Sequence, residues 1–149
     1  MNKCLKVICV IIIVIFILLI ISMFGIESPQ KSKLNITQVK NVNATITAFS
    51  DTGATIIIKD NNVIPNKYEK WYKIEKEINN EWYDVKMLIK NYKFDYITYE
   101  VDKKSEVLFV IDWESLYGKL STGNYRIVKK VGNEYIAIPF SIGITQTHN

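Results

Sequence analysis

Cysteine is almost missing from this chain of 149 residues: Cys4 and Cys9 both fall at or inside its first apolar run. The rest of the sequence is thiol-free, which excludes disulfides, a cysteine nucleophile and thiolate metal sites from it. Histidine occurs once, at His148, next to the last residue, where chains fray. A Ser-His-Asp triad or a multi-histidine metal site has no raw material here. The six glycines are scattered, so no glycine-rich phosphate loop is formed. Arg126 is the sole arginine, which argues against guanidinium forks for phosphate. Nineteen basic and fifteen acidic residues are interspersed; the formal charge is +4, and Lys3 and Lys6 flank the apolar run, leaving about +2 on the remainder. That balance is a solvated surface and not a nucleic-acid footprint. Carboxylates alone could still do chemistry: Asp112 and Glu114 flank Trp113, and Asp95, Glu100 and Asp102 share an aromatic-rich stretch. A glycosidase pair would have to come from these. The expectation is a non-enzymatic protein without a cofactor or metal.

What is present begins with Lys3 and Lys6, followed by an uncharged run from Val7 to Ile26. About twenty apolar residues at a rise of roughly 1.5 Å span a bilayer core of roughly 30 Å. A cleaved signal peptide has a shorter apolar region and small residues before the cut, whereas the exit here, Ser22-Met23-Phe24-Gly25-Ile26-Glu27, has no such pattern. A lipoprotein needs a cysteine after the run, and both cysteines come too early. Residues 1–27 are therefore expected to be a single transmembrane helix whose partner is the lipid bilayer, with retention or cleavage left open. The short basic head favours an inside N-terminus and an extracellular C-terminal domain, although Lys31 and Lys33 nearly balance the charge on the other side. Residues 28–33 read as a polar tether that Pro29 keeps from continuing the helix, and 34–149 as one domain of ordinary size.

From Asn41 onward the hydrophobic period is two. Ala44, Ile46 and Ala48 alternate with Thr45 and Thr47, and Ser50-Asp51-Thr52-Gly53 turns the chain into Ile56 and Ile58. Tyr72 and Ile74 alternate with Lys73 and Glu75; Asn79-Asn80 marks a hairpin into Trp82-Tyr83-Asp84-Val85. The continuous run Val107 to Ile111 predicts a strand covered on both faces or lying centrally in a sandwich. Tyr125, Ile127 and Lys129 share a face, and Gly132-Asn133 turns into Ile136, Ile138, Phe140 and Ile142. Pro139 cannot donate to a ladder, so that last strand is expected at an edge or bulge. One helical turn is expected at Trp113 to Tyr117, ended by Gly118. The pattern predicts an all-β fold, an antiparallel sandwich of about seven strands.

Two stretches carry a resemblance. Tyr72-Lys73-Ile74-Glu75-Lys76 with Trp82-Tyr83-Asp84-Val85 is one; Ile111-Asp112-Trp113, Tyr117-Gly118-Lys119-Leu120 and Gly123-Asn124-Tyr125-Arg126-Ile127-Val128-Lys129 form the other. Together they resemble a bacterial immunoglobulin-like domain of Gram-positive cell-envelope proteins of the clostridium and bacillus type, over roughly Leu34 to Ile144. The resemblance implies an immunoglobulin-like sandwich, without the cysteine pair of antibody domains, and brings no catalytic residues to map. On physical grounds Gly123 permits a tight turn before a strand, Tyr125 enters the core with its hydroxyl seeking a backbone partner as in a tyrosine corner, and Leu120 caps the sandwich end.

Aromatic residues crowd the middle of the chain. Tyr72 and one of Trp82 and Tyr83 are expected in the core, while Trp71 and the Tyr92–Tyr99 group cannot all face inward. Trp71, Trp82 and Trp113 are the candidate ligand-facing aromatics, since exposed rings stack on sugars or anchor protein partners. The functional expectation is a membrane-anchored, non-enzymatic module at the outer face of a Gram-positive cell. It would contact an envelope protein or serve as a structural or sensory accessory. The alternative is cell-wall glycan or peptidoglycan binding through the exposed aromatics. Nucleic acid is not an expected partner.

Overall fold

The computed structural model describes residues 3–23, 28–102 and 105–143. His148 and residues 24–27 at the exit of the apolar run lie outside the described residues. The helix α1 occupies Lys3–Met23. Its described side chains, at 7–19, are all exposed, Cys9 among them. Among the described residues no helix is long and apolar enough to cross a membrane. The described side chains cover about 20 Å of axis against a hydrocarbon thickness of roughly 30 Å. The transmembrane helix expected from the sequence is therefore not shown by these residues.

Eight strands follow, one more than expected: β1 Val42–Phe49, β2 Gly53–Asp60, β3 Tyr68–Ile78, β4 Glu81–Asp84, β5 Thr98–Tyr99, β6 Glu106–Asp112, β7 Gly123–Val131 and β8 Glu134–Ile142. A single helical turn, α2 at Glu114–Tyr117, ends at Gly118 with φ 71°. All strand pairings are antiparallel, in a sheet of order β1-β2-β6 and a second of order β4-β3-β7-β8 with β5 also on β3. Local chemistry explains the hairpins. Ser50 Oγ accepts the N–H groups of Thr52 and Gly53, both at 3.2 Å. Asn79 and Asn80 both take left-handed φ, 51° and 63°, as a two-residue hairpin matched to strand twist requires. Gly132, at φ 58°, does the same between β7 and β8.

The inner faces of both sheets share one core. Ile56, Ile58, Val107, Phe109 and Ile111 meet Tyr72, Ile74, Tyr125, Ile127, Ile138 and Phe140. Two polar groups are sealed in with them. Asp60 is fully buried and accepts five hydrogen bonds, from the backbone and side-chain amides of Asn62 and Asn66 and from the Tyr68 hydroxyl. Burial pushes its carboxyl up, but these donors outweigh burial and hold it at about 2. Lys129 is the second. The ladder between β3 and β7 slips between Tyr68 and Tyr72, and the Lys129 ammonium donates to the Glu69 and Trp71 carbonyls at 2.6 and 2.8 Å. It also lies 3.9 Å from the Phe109 ring centroid on the facing sheet. A buried lysine thus pairs the carbonyls that a bulge would leave orphaned.

The segment expected as a free tether is partly built into the domain. Asp84 N–H donates to Gln30 O and Ser32 N–H to Trp82 O, both at 2.8 Å, so 30–32 pairs along β4. The chain then crosses the outer face of the second sheet: Ser32 Oγ donates to Glu75, and Thr37 N–H to Tyr135 O at 2.9 Å on β8. Ser32, Leu34 and Ile36 are half-buried while Lys31, Lys33 and Asn35 are exposed, the alternation of an extended strap. Under it Glu75 and Val128 are fully buried, although both lie on the side of the sheet away from the core. Pro139 sits on β8, the outermost strand of its sheet, as its missing donor requires.

One strand contradicts its sequence reading. The apolar run Val107 to Ile111 is not covered on both faces; β6 is an edge strand with Leu108 57% and Val110 77% exposed. The apolar run hid the alternation, because outward as well as inward positions carry aliphatic residues.

Burial lowers the Lys129 amine from 10.5 to about 7, opposed by the nearby Glu69 charge. Between about pH 7 and 10 the unfolded chain therefore holds a proton that the folded chain has released. Stability should rise with pH across that window by up to about 1.4 kcal/mol per unit. Above it the trend reverses as unfolded tyrosines ionise, because burial raises Tyr68, Tyr72 and Tyr117 in the fold. Urea unfolding from pH 6 to 10 tests this. A flat wild-type profile, or an unchanged slope in Lys129→Met, contradicts it.

Candidate functional site

The residues around the second hairpin end form a structural lock. Gly123, at φ 156°, opens β7, and Tyr125 is buried two residues on with its ring stacked on Phe140 at 5.6 Å. Its hydroxyl donates to the Ser121 carbonyl at 2.8 Å, four residues back. The Asp51 carbonyl accepts both the Leu120 N–H at 2.8 Å and the Trp113 indole N–H at 3.0 Å. These bonds tie the connection between β6 and β7 to the hairpin of β1 and β2. Leu120, Gly123 and Tyr125 thus sit in the interior or its rim.

The three candidate tryptophans occupy three different environments. Trp113 is fully buried, tilted on Phe140 at 5.6 Å, so its expected role as a ligand-facing ring is corrected to a core role. Its hydrophobic volume closes the sandwich end, which a short α2 could not otherwise fill. Trp82 is half-buried on β4, and the Arg126 guanidinium covers its ring at 4.3 Å while ion-pairing with Glu75 at 2.6 Å. Neither Trp82 nor Tyr83 enters the core: Trp82 stands opposite Glu77 on the face away from it, and Tyr83, opposite Lys76 on the rim of the inner face, turns its hydroxyl to the Glu81 carboxylate. Trp82 also lines a hollow of about 530 Å3 with Glu77, Asn124 and Pro139. Trp71 borders a separate cleft. It meets Tyr135 edge-on at 5.6 Å and lines a hollow of about 330 Å3 with Tyr92, Lys93, Asp95 and Tyr96, the last 99% exposed.

The surface that sequence reasoning missed is the outer face of the β1-β2-β6 sheet. In register across it stand Thr45, Ile57 and Leu108, then Ala48, Thr55 and Val110, whereas Phe49, half exposed, packs on Phe140 at the rim of the inner face. Lys59 and Glu106 pair at one end, 2.9 Å apart, and Asp112 lies at the other. Between them this face carries no charge. A shallow groove of about 390 Å3 runs beside Phe49, Thr55 and Val110. The signal was present in the sequence as the unbroken run of β6, but its two-sided aliphatic character points equally to double burial and to an apolar outer face.

The family model for the bacterial Ig-like domain matches residues 31–141. The chain belongs to that family. The matched span begins at Lys31, which bridges Tyr83 of β4, and ends in β8, so it takes in the sandwich and nearly all of its strap. Curated proteins and solved structures gave no match. Ig-like domains are generally non-catalytic, and among the described residues no group of three or more histidine, cysteine, aspartate or glutamate side chains could hold a metal.

Truncation should separate the structural residues from the surface ones. Trp113→Ala is expected to cost about 3–5 kcal/mol, and Tyr125→Phe about 1–2 kcal/mol through the orphaned Ser121 carbonyl. Trp71→Ala should cost less than either, about 1 kcal/mol. Denaturant unfolding of the three variants measures this, and a Trp71 cost equal to that of Trp113 would contradict the assignment.

Proposed function

We propose that this chain is a membrane-anchored, non-enzymatic interaction module whose Ig-like domain stands at the outer face of a Gram-positive cell and docks another envelope protein. The uncharged outer face of the β1-β2-β6 sheet carries the reading: Leu108 and Val110 are more than half exposed there. A contiguous apolar face on a small domain marks a docking surface. The family supports an interaction role, and the uncharged run Val7 to Ile26 supports a bilayer anchor ahead of it. A thiol-free domain stabilised by its own core suits an extracytoplasmic location.

A second reading is favoured by one observation, the cleft of Trp71, Tyr92 and Tyr96 with Lys93 and Asp95 at its wall. Aromatic faces bordered by charged hydrogen-bonding groups suit a cell-wall glycan.

Intact cells carrying a photo-crosslinking residue in place of the exposed Thr45 test both readings. A discrete protein adduct, removed by protease added outside the cell, is expected. A domain protected until lysis defeats the location. Absence of any adduct, together with quenching of tryptophan emission by purified wall fragments that Trp71→Ala abolishes, favours the glycan reading.

A further inference from the structure

The four edges of the two sheets are not treated alike. The β4 edge is paired by residues 30–32, and the β8 edge carries Pro139 and is bonded by Thr37. The β1 edge is broken by a bulge between Ile46 and Ala48. The β6 edge has none of these devices: its register with β2 is unbroken from Glu106 to Asp112, and it contains neither proline nor lysine. Edges left in this state are templates for another strand.

The hydrogen-bond parity identifies the free groups. Trp113 N–H donates to Thr52 O and Asp60 N–H to Ser105 O, at 2.9 and 2.8 Å. Those pairs fix the alternation, so Val107, Phe109 and Ile111 direct their backbone groups toward β2, whereas Glu106, Leu108 and Val110 direct theirs away. Glu106 is already engaged, since its carbonyl accepts from Asp102 N–H at 2.9 Å and its N–H donates to the Asp102 carboxylate at 2.9 Å. Among the described residues nothing pairs with the backbone of Leu108 and Val110 on that side. The same two residues carry the exposed side chains.

Resting on the interaction reading above, we infer that the β6 edge is a strand-addition site for an extended segment of another polypeptide, alternating in apolar or β-branched residues and basic at the end that meets Asp112. Charge fixes that polarity. Glu106 is neutralised by Lys59, whereas the exposed Asp112 and Glu114 have no ion-pair partner among the described residues. An antiparallel incoming strand places its N-terminal end there. A second copy is disfavoured by the same charges: antiparallel self-pairing centred on Phe109 sets Glu106 opposite Asp112. Two backbone N–H and two carbonyl groups would supply affinity, and Leu108 and Val110 the side-chain contact.

The test uses the full chain in detergent micelles with two synthetic peptides of alternating threonine and valine, one with two N-terminal lysines and one with two glutamates instead. Amide exchange at Leu108 and Val110 should slow about tenfold with the lysine peptide, which should bind about tenfold more tightly than the glutamate peptide. Val110→Pro removes a free-edge N–H without touching a β2 bond, so binding should vanish while Phe109 and Ile111 stay protected. Leu108→Lys, which keeps every backbone group, should weaken the lysine peptide as well and serves if the proline variant unfolds. Equal binding of both peptides, or undiminished binding to the variants, overturns the inference. Protection of Leu108 and Val110 without peptide in a chain that sediments as a dimer also overturns it, in favour of self-pairing. A Thr45 adduct on cells that persists in Val110→Pro refutes the edge yet leaves the interaction reading standing, whereas its absence from both chains refutes that reading.

Discussion

The strap from Gln30 to Thr37 is the constraint on which the rest of this structure depends. It ties β4 through backbone bonds, crosses over Glu75 and Val128, and reaches β8 at Tyr135. A carboxylate that would otherwise stand on a solvated sheet face is thereby sealed beneath it, held by Arg126 and Ser32. Burying such a charge is tolerable only with full pairing, and Arg126 supplies it with two nitrogens. The chain's sole arginine is thus absorbed in its own fold. Because the strap engages both outer edges of one sheet, the two sheets become unequal in what they can offer a partner.

The core has a similar economy. Bulging β3 near its start exposes two carbonyls, and the side chain directly opposite Tyr72 in register is Lys129. Its ammonium closes the gap while Phe109 on the facing sheet supplies an aromatic cushion. Asp60, at the far end of β2, binds the loop to Asn66 and the strand to Tyr68 in the same manner. Both residues are charged in isolation and structural in place, so neither is available as a catalytic group. Among the described residues, the features that bear on the proposed function are surface ones, the uncharged sheet face with its bare edge and the aromatic cleft at Trp71.

Much of the fold was legible in the sequence. The two-residue periodicity, the Asn79-Asn80 and Gly132 turns, the single turn closed by Gly118 and the edge position of Pro139 all follow from local chemistry that the chain carries wherever it is placed. The site was less legible. Trp71, Trp82 and Trp113 look alike in sequence, and only packing separates a cleft wall from an arginine-covered ring and a sealed core residue. The run Val107 to Ile111 misled for a related reason, since an aliphatic residue on an outward position has the same letter as one inside.

By itself, then, the sequence determined the class of fold, its turns, the thiol-free character of the domain and an apolar leader with a basic head. Those properties depend on neighbours within a few residues, where backbone sterics and side-chain alternation act. Tertiary structure decided which edges are closed, which aromatics see solvent, and that Glu75, Asp60 and Lys129 are interior. Those outcomes depend on contacts between residues tens of positions apart, such as Lys129 with Glu69 or Ser32 with Glu75. Local pattern carries no record of such contacts, because each is set by how two sheets and a strap happen to meet.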